Sequence, residues 1–397
     1  MNVINEIFAE YRKKKEEIEV TVADMKDEIQ EFLGRILIYG AGSSGIAFLY
    51  DLRKVGIEPL YFVDSDISKA GTDCEGLTVI LPEEILSKAG KDVLVIVCIN
   101  TDGKRYCKSF AEALRVGGHH GVYEKLRGCG CMNIIDYTYF RRCHSLFTDE
   151  KYNAPSCSDV YLMEEHEQEI SEVYDLMEDD LSKEVFEKIT RFRLLDDSIE
   201  IPTMTQEKQY FEYGFYGKRQ DEVFVDCGAF NGISLKTFLQ ENEYRFEGYY
   251  GTEPDPVNYQ RLEEYVHTLP EDVQEKLYIT EQAVWKDNCG MQLYALHGPG
   301  SFGADIGMVK AKSITIDHML HGKRASYIKM NIEGSEKEAL AGAEQTIRKY
   351  KPRLAIAGYH RTDDFWKIPL LMKRYREDYK IYLRTYMNHI SFVYYAV

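Results

Sequence analysis

The sequence predicts an α/β protein made of two Rossmann-like domains joined by a helical segment. Three observations predict it. Two stretches, beginning at Ile36 and Val223, each run from a short apolar strand through a glycine turn into a helical pattern, the opening unit of a doubly wound parallel sheet. Between them, residues 159–200 contain no glycine or proline and take on a helical period. At 397 residues, the chain also exceeds what one hydrophobic core usually holds. The expected organisation is an N-terminal helix over 1–33, a nucleotide-binding-type domain over 34–150, a helical linker over 151–210 and a second α/β domain over 211–397.

Each element has its own signal. In residues 1–33, Ile4, Ile7, Phe8, Tyr11, Ile18, Val22, Met25, Ile29 and Phe32 recur at three- and four-residue steps. That stripe suits packing or homodimerisation, and the charged run 13–17 falls on its solvated face. Strand Ile36–Tyr39 then enters Gly40-Ala-Gly42-Ser-Ser-Gly45, a helix follows, and a second strand ends at Asp64. Gly40, Gly42, Gly45 and Asp64 thus meet the context of a dinucleotide fingerprint and form a second candidate nucleotide site. Residues 93–99 are a buried parallel strand by length and branching. In 159–200, Ile170, Val173, Leu176, Met177, Leu181, Val185, Phe186 and Ile189 mark two amphipathic helices, with a capping break at Asp180, Ser182 and Glu184. From 211 onward, strands near 223–226, 249–252, 277–280, 326–330 and 354–357 alternate with helices. Residues 379–385 and 390–395 flank a Met387-Asn388-His389 turn and close the sheet as an antiparallel hairpin.

Composition narrows the class. Hydrophobic residues at 44% and charged residues at 29% describe an ordinary globular chain. A net charge of -17 repels phosphate backbones and argues against nucleic acid as a partner. The apolar runs are too short to span a bilayer, and the acidic N-terminus lacks a signal-peptide core, so no membrane partner and a cytoplasmic location are expected. Nine scattered cysteines are no disulfide framework. Cys129, Cys131, Cys143, His144 and Cys157, with His119 and His120 upstream, lack two close ligand pairs; reduced structural thiols, and no metal, are expected.

In an open parallel sheet, ligands lie beyond the carboxyl ends of the strands. After the first strand of the C-terminal domain come Asp226, Gly228, Ala229, Phe230, Asn231 and Gly232. After the second comes Glu253, whose carboxylate can accept from both ribose hydroxyls of an adenosine. Gln282 and Ala283 follow the third and can border an adenine ring; Asn331, Glu333 and Gly334 follow the fourth; Tyr359 and His360 follow the fifth. Singly, each has a plainer explanation: Asp226 as a helix cap, Glu253 as a surface charge, His360 as a structural histidine. Together, the strand ends deliver in order the polar groups a nucleoside site needs. The first turn is Asp-x-Gly-x-x-x-Gly, too poor in glycine to cradle a pyrophosphate, which favours S-adenosylmethionine over a dinucleotide.

These residues reach a known family. VFVDCGAFNGIS (223–234), TEPDPVNYQRL (252–262), QAVWKDNCG (282–290), SITIDHML (313–320), YIKMNIEGSEKEALAGAEQTIRKYKPRLAI (327–356) and YHRTDDFWKIP (359–369) resemble, in order, the motifs of FkbM-type methyltransferases, a branch of the class I S-adenosylmethionine-dependent enzymes. The resemblance covers about 211–397 and implies a class I methyltransferase sheet with S-adenosylmethionine as cofactor. The family's strand-four motif usually reads Asp-x-Glu-Gly, whereas this chain has Asn331-Ile-Glu333-Gly. An amide can donate and accept hydrogen bonds but cannot serve as a base or strong metal ligand. GAGSSG and the following FVDSDISKAGTDCEGLTVILPEEI are similar to a Rossmann-like module found before some FkbM enzymes and in polysaccharide-biosynthesis proteins. That likeness implies either a nucleotide-linked ligand or a scaffold.

The expected reaction is methyl transfer to a hydroxyl on a sugar or other polar metabolite, with a sugar or nucleotide-sugar as the candidate small-molecule acceptor. The protein's task is to align donor and acceptor and exclude water. His360 is the expected base at neutral pH, with Glu333 second. The glycine-rich stretch HGPGSFGADIG (297–307) is expected to close over the acceptor. Two rivals stand beside this reading. One is an NAD(P)-dependent oxidoreductase using the Gly40–Gly45 turn, for which no proton donor is recognisable. The other is a non-catalytic nucleotide-binding subunit, motivated by Asn331.

Overall fold

The apolar β-branched runs become the strands of two parallel-dominated sheets, one in each of two units. The computed structural model describes residues 2–99, 107–116, 120–143, 146, 160–195, 200–206, 209–212, 214, 217–294, 302–303, 309–387 and 391–397. One unit comprises Met1–Glu167 with Thr190–Ile199; the other comprises Gln168–Ile189 with Glu200–Val397.

In the first unit, β1 (Ile36–Tyr39), β2 (Tyr61–Val63), β3 (Asp73–Cys74), β4 (Leu77–Ile80), β5 (Leu94–Val97) and β6 (Asn133–Asp136) lie in the order β3-β4-β2-β1-β5-β6. Only the β3–β4 pair is antiparallel. Strands β1 and β5 are buried along their whole length, as continuous apolar runs in a parallel sheet require. Alternation then splits the core. Ile36, Ile38, Leu94 and Ile96 pack with Phe48, Leu49 and Leu52 of the next helix, while Leu37, Tyr39, Val95 and Val97 face Tyr123 and Leu126. Cys143 lies in the first of these cores and Cys131 in the second, so the two thiols share no ligand site.

The N-terminal segment departs from one continuous helix. Val3–Ile18 and Val22–Glu28 are separate helices, because Thr21 and Asp24 form a capping box that starts the second. Ile4, Ile7, Phe8, Tyr11 and Ile18 are buried within the unit, and Lys15 pairs with Glu164 at 2.8 Å. The stripe therefore packs inside its own chain.

Residues 160–195 form three helices, not two: Val160–Glu165, Glu167–Asp175 and Asp180–Leu195. The last is capped by Asp179, one residue before the expected position, whose Oδ1 accepts the Ser182 N–H at 2.8 Å. The segment is divided between the two units.

The second unit carries β7 (Val223–Cys227), β8 (Gly248–Thr252), β9 (Leu277–Thr280), β10 (Tyr327–Met330), β11 (Arg353–Ala357), β12 (Ile381–Met387) and β13 (Ser391–Ala396). Their order is β12-β13-β11-β10-β7-β8-β9, with β13 antiparallel to both neighbours. Edge strand β12 is covered: the Glu178 N–H donates to Ile381 O, the Leu383 N–H to Ser182 Oγ, and the Met204 N–H to Thr385 O. The chain winds from β7 through β8 to β9, then crosses to β10 on the other side of β7. The switch point thus falls between β7 and β10, where open α/β sheets leave a crevice for ligands. Among the described residues, no helix is long and apolar enough to cross a membrane.

Candidate functional site

Strand β7 delivers Asp226 to the switch point with no solvent exposure. Its register partner on β10 is Lys329, which is 3% exposed. Lys329 Nζ donates to Asp226 Oδ1 at 2.9 Å and to the carbonyls of Gly228 at 2.8 Å and Cys227 at 3.3 Å. Asp226 Oδ2 accepts from Ser234 Oγ at 2.5 Å and from the Tyr249 hydroxyl at 2.9 Å. The lysine therefore neutralises the acid and fixes the turn that follows it. Sequence reasoning missed Lys329, although a lysine inside the apolar YIKM strand signals a buried partner.

The turn is bare backbone by necessity. Gly228 has φ +79°, and a Cβ there would sit 2.3 Å from the Asn331 carbonyl oxygen. Gly232, φ +88°, starts helix Ile233–Glu241, and a Cβ there would meet the Tyr265 ring at 2.9 Å. Phe230, also left-handed at φ +51°, donates its N–H to Glu253 Oε2 at 2.9 Å. Glu253 Oε1 accepts the Asp255 N–H at 3.0 Å. Burial pushes the Glu253 carboxyl up to about 7, against the pull of those two backbone N–H groups.

Beyond β10 lie Asn331, whose Oδ1 accepts from the Tyr359 hydroxyl at 3.3 Å, and Glu333, left-handed at φ +56°. His360 follows β11 and is 3% exposed. Its Nδ1 lies 2.9 Å from Glu336 Oε1 and its Nε2 3.6 Å from Glu333 Oε2. Burial opposes charge on the ring, but Glu336, Glu333 and Asp364 outweigh it and push His360 up to about 9. Glu336 is held below the usual carboxylate range: burial works against this, and the His360 cation and backbone N–H donors prevail.

Among the described residues, Glu336, His360 and Asp364 are the group whose ligand-type atoms lie within 4.8 Å of one another. Their oxygens are already engaged. Glu336 accepts from the Ile332 and Gly334 N–H groups, and Asp364 from Lys337 and the Arg361 N–H. The cluster is a salt-bridge network with its own cations, and it needs no metal to balance it.

A cavity of about 740 Å³ opens over these elements. Of the residues expected from sequence, Gly228, Phe230, Glu253, Ala283, Asn331 and Glu333 line it, joined by Lys329. Asp226, Ala229 and Gly232 are buried and support the wall without facing the cavity. Asn231 is exposed outside it, and Gln282 is turned to Thr280 and Ser313. His360, the base expected from sequence, is not among the described residues that line the cavity. Gln206, Gln209, Thr237 and Gln240 also line the cavity. Of the 297–307 stretch, only 302–303 are described, pairing with Met291–Tyr294; the expected closing loop otherwise lies outside the described residues.

A Cβ at Gly45 would lie 1.9 Å from the Gly40 carbonyl oxygen, and one at Gly40, φ +106°, would lie 2.9 Å from Ile99. Gly42 is the N-cap of helix Ser43–Lys54. Asp64 Oδ2 accepts the Ala41 N–H at 3.0 Å and Lys69 Nζ at 2.9 Å, while Oδ1 accepts the Asp66 N–H at 2.9 Å.

Residues 226–392 match the methyltransferase FkbM domain. The methyltransferase FkbM from Methylobacillus flagellatus KT is similar over 99% of both chains, with 20% identity and a TM-score of 0.65, a likeness of fold. An rRNA methylase from Streptococcus thermophilus shares 12% identity over 45% of this chain and 86% of its own, with a TM-score of 0.29. A UDP-D-quinovosamine 4-dehydrogenase from Vibrio fischeri shares 25% identity over 25% of this chain and 75% of its own, with a TM-score of 0.18. No curated protein matches the sequence.

Proposed function

The chain belongs to the FkbM methyltransferases through residues 226–392, and on that premise we propose that it takes S-adenosylmethionine at the β7 turn and methylates a hydroxyl of a small polar acceptor, a sugar or nucleotide-sugar. The observation that carries this reading is Glu253. It lines the cavity at the end of β8, and each of its oxygens holds one backbone N–H and keeps a lone pair for a ribose hydroxyl.

The remaining residues fit the same ligand. The turn at Gly228 admits no side chain, so backbone can approach the donor closely. Ala283 and Val284 give an apolar border for the adenine ring. When bound, the sulfonium supplies an already activated methyl. The chain's part is to orient the two reactants, exclude water and take the acceptor's proton. We assign that proton to Glu333, which faces the cavity, and not to His360, which is buried and already protonated at neutral pH. His360 then serves as the counter-ion of Glu333. Asn331 holds the Tyr359 hydroxyl with an acceptor oxygen that Asp would also offer. Since the base in this scheme is not at 331, the amide is compatible with turnover. Gln206, Gln209, Thr237 and Gln240 both donate and accept, which suits an acceptor bearing several hydroxyls.

Titration calorimetry of the full chain with S-adenosylmethionine and S-adenosylhomocysteine tests the donor half. Both should bind, and Glu253→Ala should weaken them at least tenfold, which is about 1.4 kcal/mol. Absence of heat with the native chain, or equal affinity in Glu253→Ala, rejects the reading.

A further inference from the structure

The turn after β10 holds two successive residues in the left-handed region, Glu333 at φ +56° and Gly334 at φ +93°. Gly334 tolerates this, though it has little room: a Cβ there would lie 3.0 Å from Arg361 Nε. Glu333 does not tolerate it freely, because a non-glycine residue in this region persists only where its surroundings over-determine it. Those surroundings are specific. The Glu336 carboxylate, with no solvent exposure, turns back from the first turn of its helix. Its Oε1 accepts the Ile332 N–H at 2.8 Å and its Oε2 the Gly334 N–H at 2.9 Å, gripping the chain on either side of Glu333. The His360 imidazole then touches both acids, through Nδ1 to Glu336 and through Nε2 to Glu333. Neither Glu336 nor His360 lines the cavity, whereas Glu333 does.

We infer that Glu336 and His360 are a positioning pair that sets the backbone conformation and the charge of Glu333 at the cavity. As a statement about catalysis this rests on Glu333 being the base; as a statement about geometry it does not. The division of labour follows from the contacts. Glu336 fixes where Glu333 points, because only a carboxylate offers an acceptor to each of two flanking N–H groups. His360 faces both carboxylates and so offsets the repulsion between them. Asp364, with its partner Lys337, also acts on the ring, the Arg361 side chain packs beside Gly334 in the same turn as Glu333, and the Tyr359 ring lies 4.3 Å from the imidazole.

The test uses the full chain without donor or acceptor, so it stands whether or not S-adenosylmethionine binds. Hydrogen exchange of the Ile332 and Gly334 amides, and the carboxyl carbon titration of Glu333 (assigned by its loss in Glu333→Gln), are followed by NMR in three proteins. In the native chain both amides should be protected. In Glu336→Gln, whose side chain has one acceptor oxygen in place of two, exchange at one or both should accelerate at least tenfold. In His360→Gln the amides should stay protected, while the Glu333 midpoint rises as a neighbouring cation is removed. Unprotected amides in the native chain, or a Glu333 midpoint indifferent to His360→Gln, overturns the inference. If Glu336→Gln does not fold, the native exchange and the His360→Gln titration decide it alone. A purely structural histidine would lower stability without moving the Glu333 titration.

Discussion

Removing the charge of Asp226 should destabilise the C-terminal unit through Lys329, and the size of the effect follows from their burial. The pair is 2.9 Å apart with side-chain exposures of 3% and 0%. Breaking a buried pair from one side leaves the other charge uncompensated, at about 3–5 kcal/mol. In Asp226→Asn, Lys329 keeps the carbonyls of Cys227 and Gly228, so the lower end, about 3 kcal/mol, is expected. In Lys329→Met, Asp226 keeps Ser234 and Tyr249 as donors, and a similar loss is expected. The double variant buries no unpaired charge, so its loss should fall short of the sum by about 2 kcal/mol or more. Both tryptophans, Trp285 and Trp366, lie in this unit, so their fluorescence during urea or thermal unfolding reports on it alone. For a unit of this size, each single variant should melt roughly 6–12 °C lower. Single losses that add in the double variant to within about 0.5 kcal/mol would mean the two charges are not coupled, and would refute the role given to Lys329.

Three further outcomes follow from the same geometry. Glu253 holds its proton up to about 7 in the folded state against 4.5 in its unperturbed state, so its contribution to stability is complete below 4.5 and is lost as pH rises through about 7. Glu253→Gln should flatten the fall of the urea midpoint over that window, and an unchanged slope rejects the assignment. His360, raised from 6.5 to about 9, contributes stability in full below 6.5 and loses it as pH rises through about 9. His360→Gln should remove that slope from the tryptophan-detected melting profile, and an identical profile in the variant would show that the ring is not charged in the fold. Gly228→Ala combines a positive φ with a 2.3 Å clash against the Asn331 carbonyl, and should lose more than about 2 kcal/mol along with donor binding. Gly322→Ala is the matched control: φ is +77° with nothing within 4 Å of its Cβ, so only the backbone strain of about 1 kcal/mol should appear.

What sequence revealed and what it hid divide along physical lines. The strands were legible because burial on both faces leaves uninterrupted apolar runs such as Val223–Val225 and Leu94–Val97. The order of Asp226, Glu253, Asn331 and Glu333 was legible because a parallel sheet places successive strand ends along one edge. Lys329 was legible in principle, as a charge inside an apolar strand. Glu336 was not: an acid in the first turn of a helix reads as an ordinary exposed complement to the helix dipole. Its burial arises only when the preceding turn folds back over it. His360 is a related case. A lone histidine after a strand suggests a titrating base, and only the tertiary structure places a carboxylate within 3.6 Å of each of its ring nitrogens. Asp179 and Thr21 moved helix starts by local capping that a hydrophobic stripe does not encode.

The two glycine turns that the sequence left in competition reach nearly the same construction by different means, and one lysine separates them. In each, the acid after the second strand accepts an N–H of the first turn with one oxygen and the N–H two residues downstream with the other: Asp64 from Ala41 and Asp66, Glu253 from Phe230 and Asp255. Asp64 carries an additional partner, Lys69, on the oxygen that already holds Ala41, and Lys69 also reaches the Ala41 carbonyl at 3.2 Å. Both lone pairs of that oxygen are thereby engaged, so a ribose diol at the N-terminal turn would first have to displace the lysine. No cation lies among the hydrogen-bond partners described for Glu253, and its raised proton affinity is the mark of a buried carboxylate short of positive charge. A carboxylate in that condition gains most from new donors, and two ribose hydroxyls are such donors. The same fingerprint logic that selected both turns therefore favours the C-terminal one once the partners of each acid are counted.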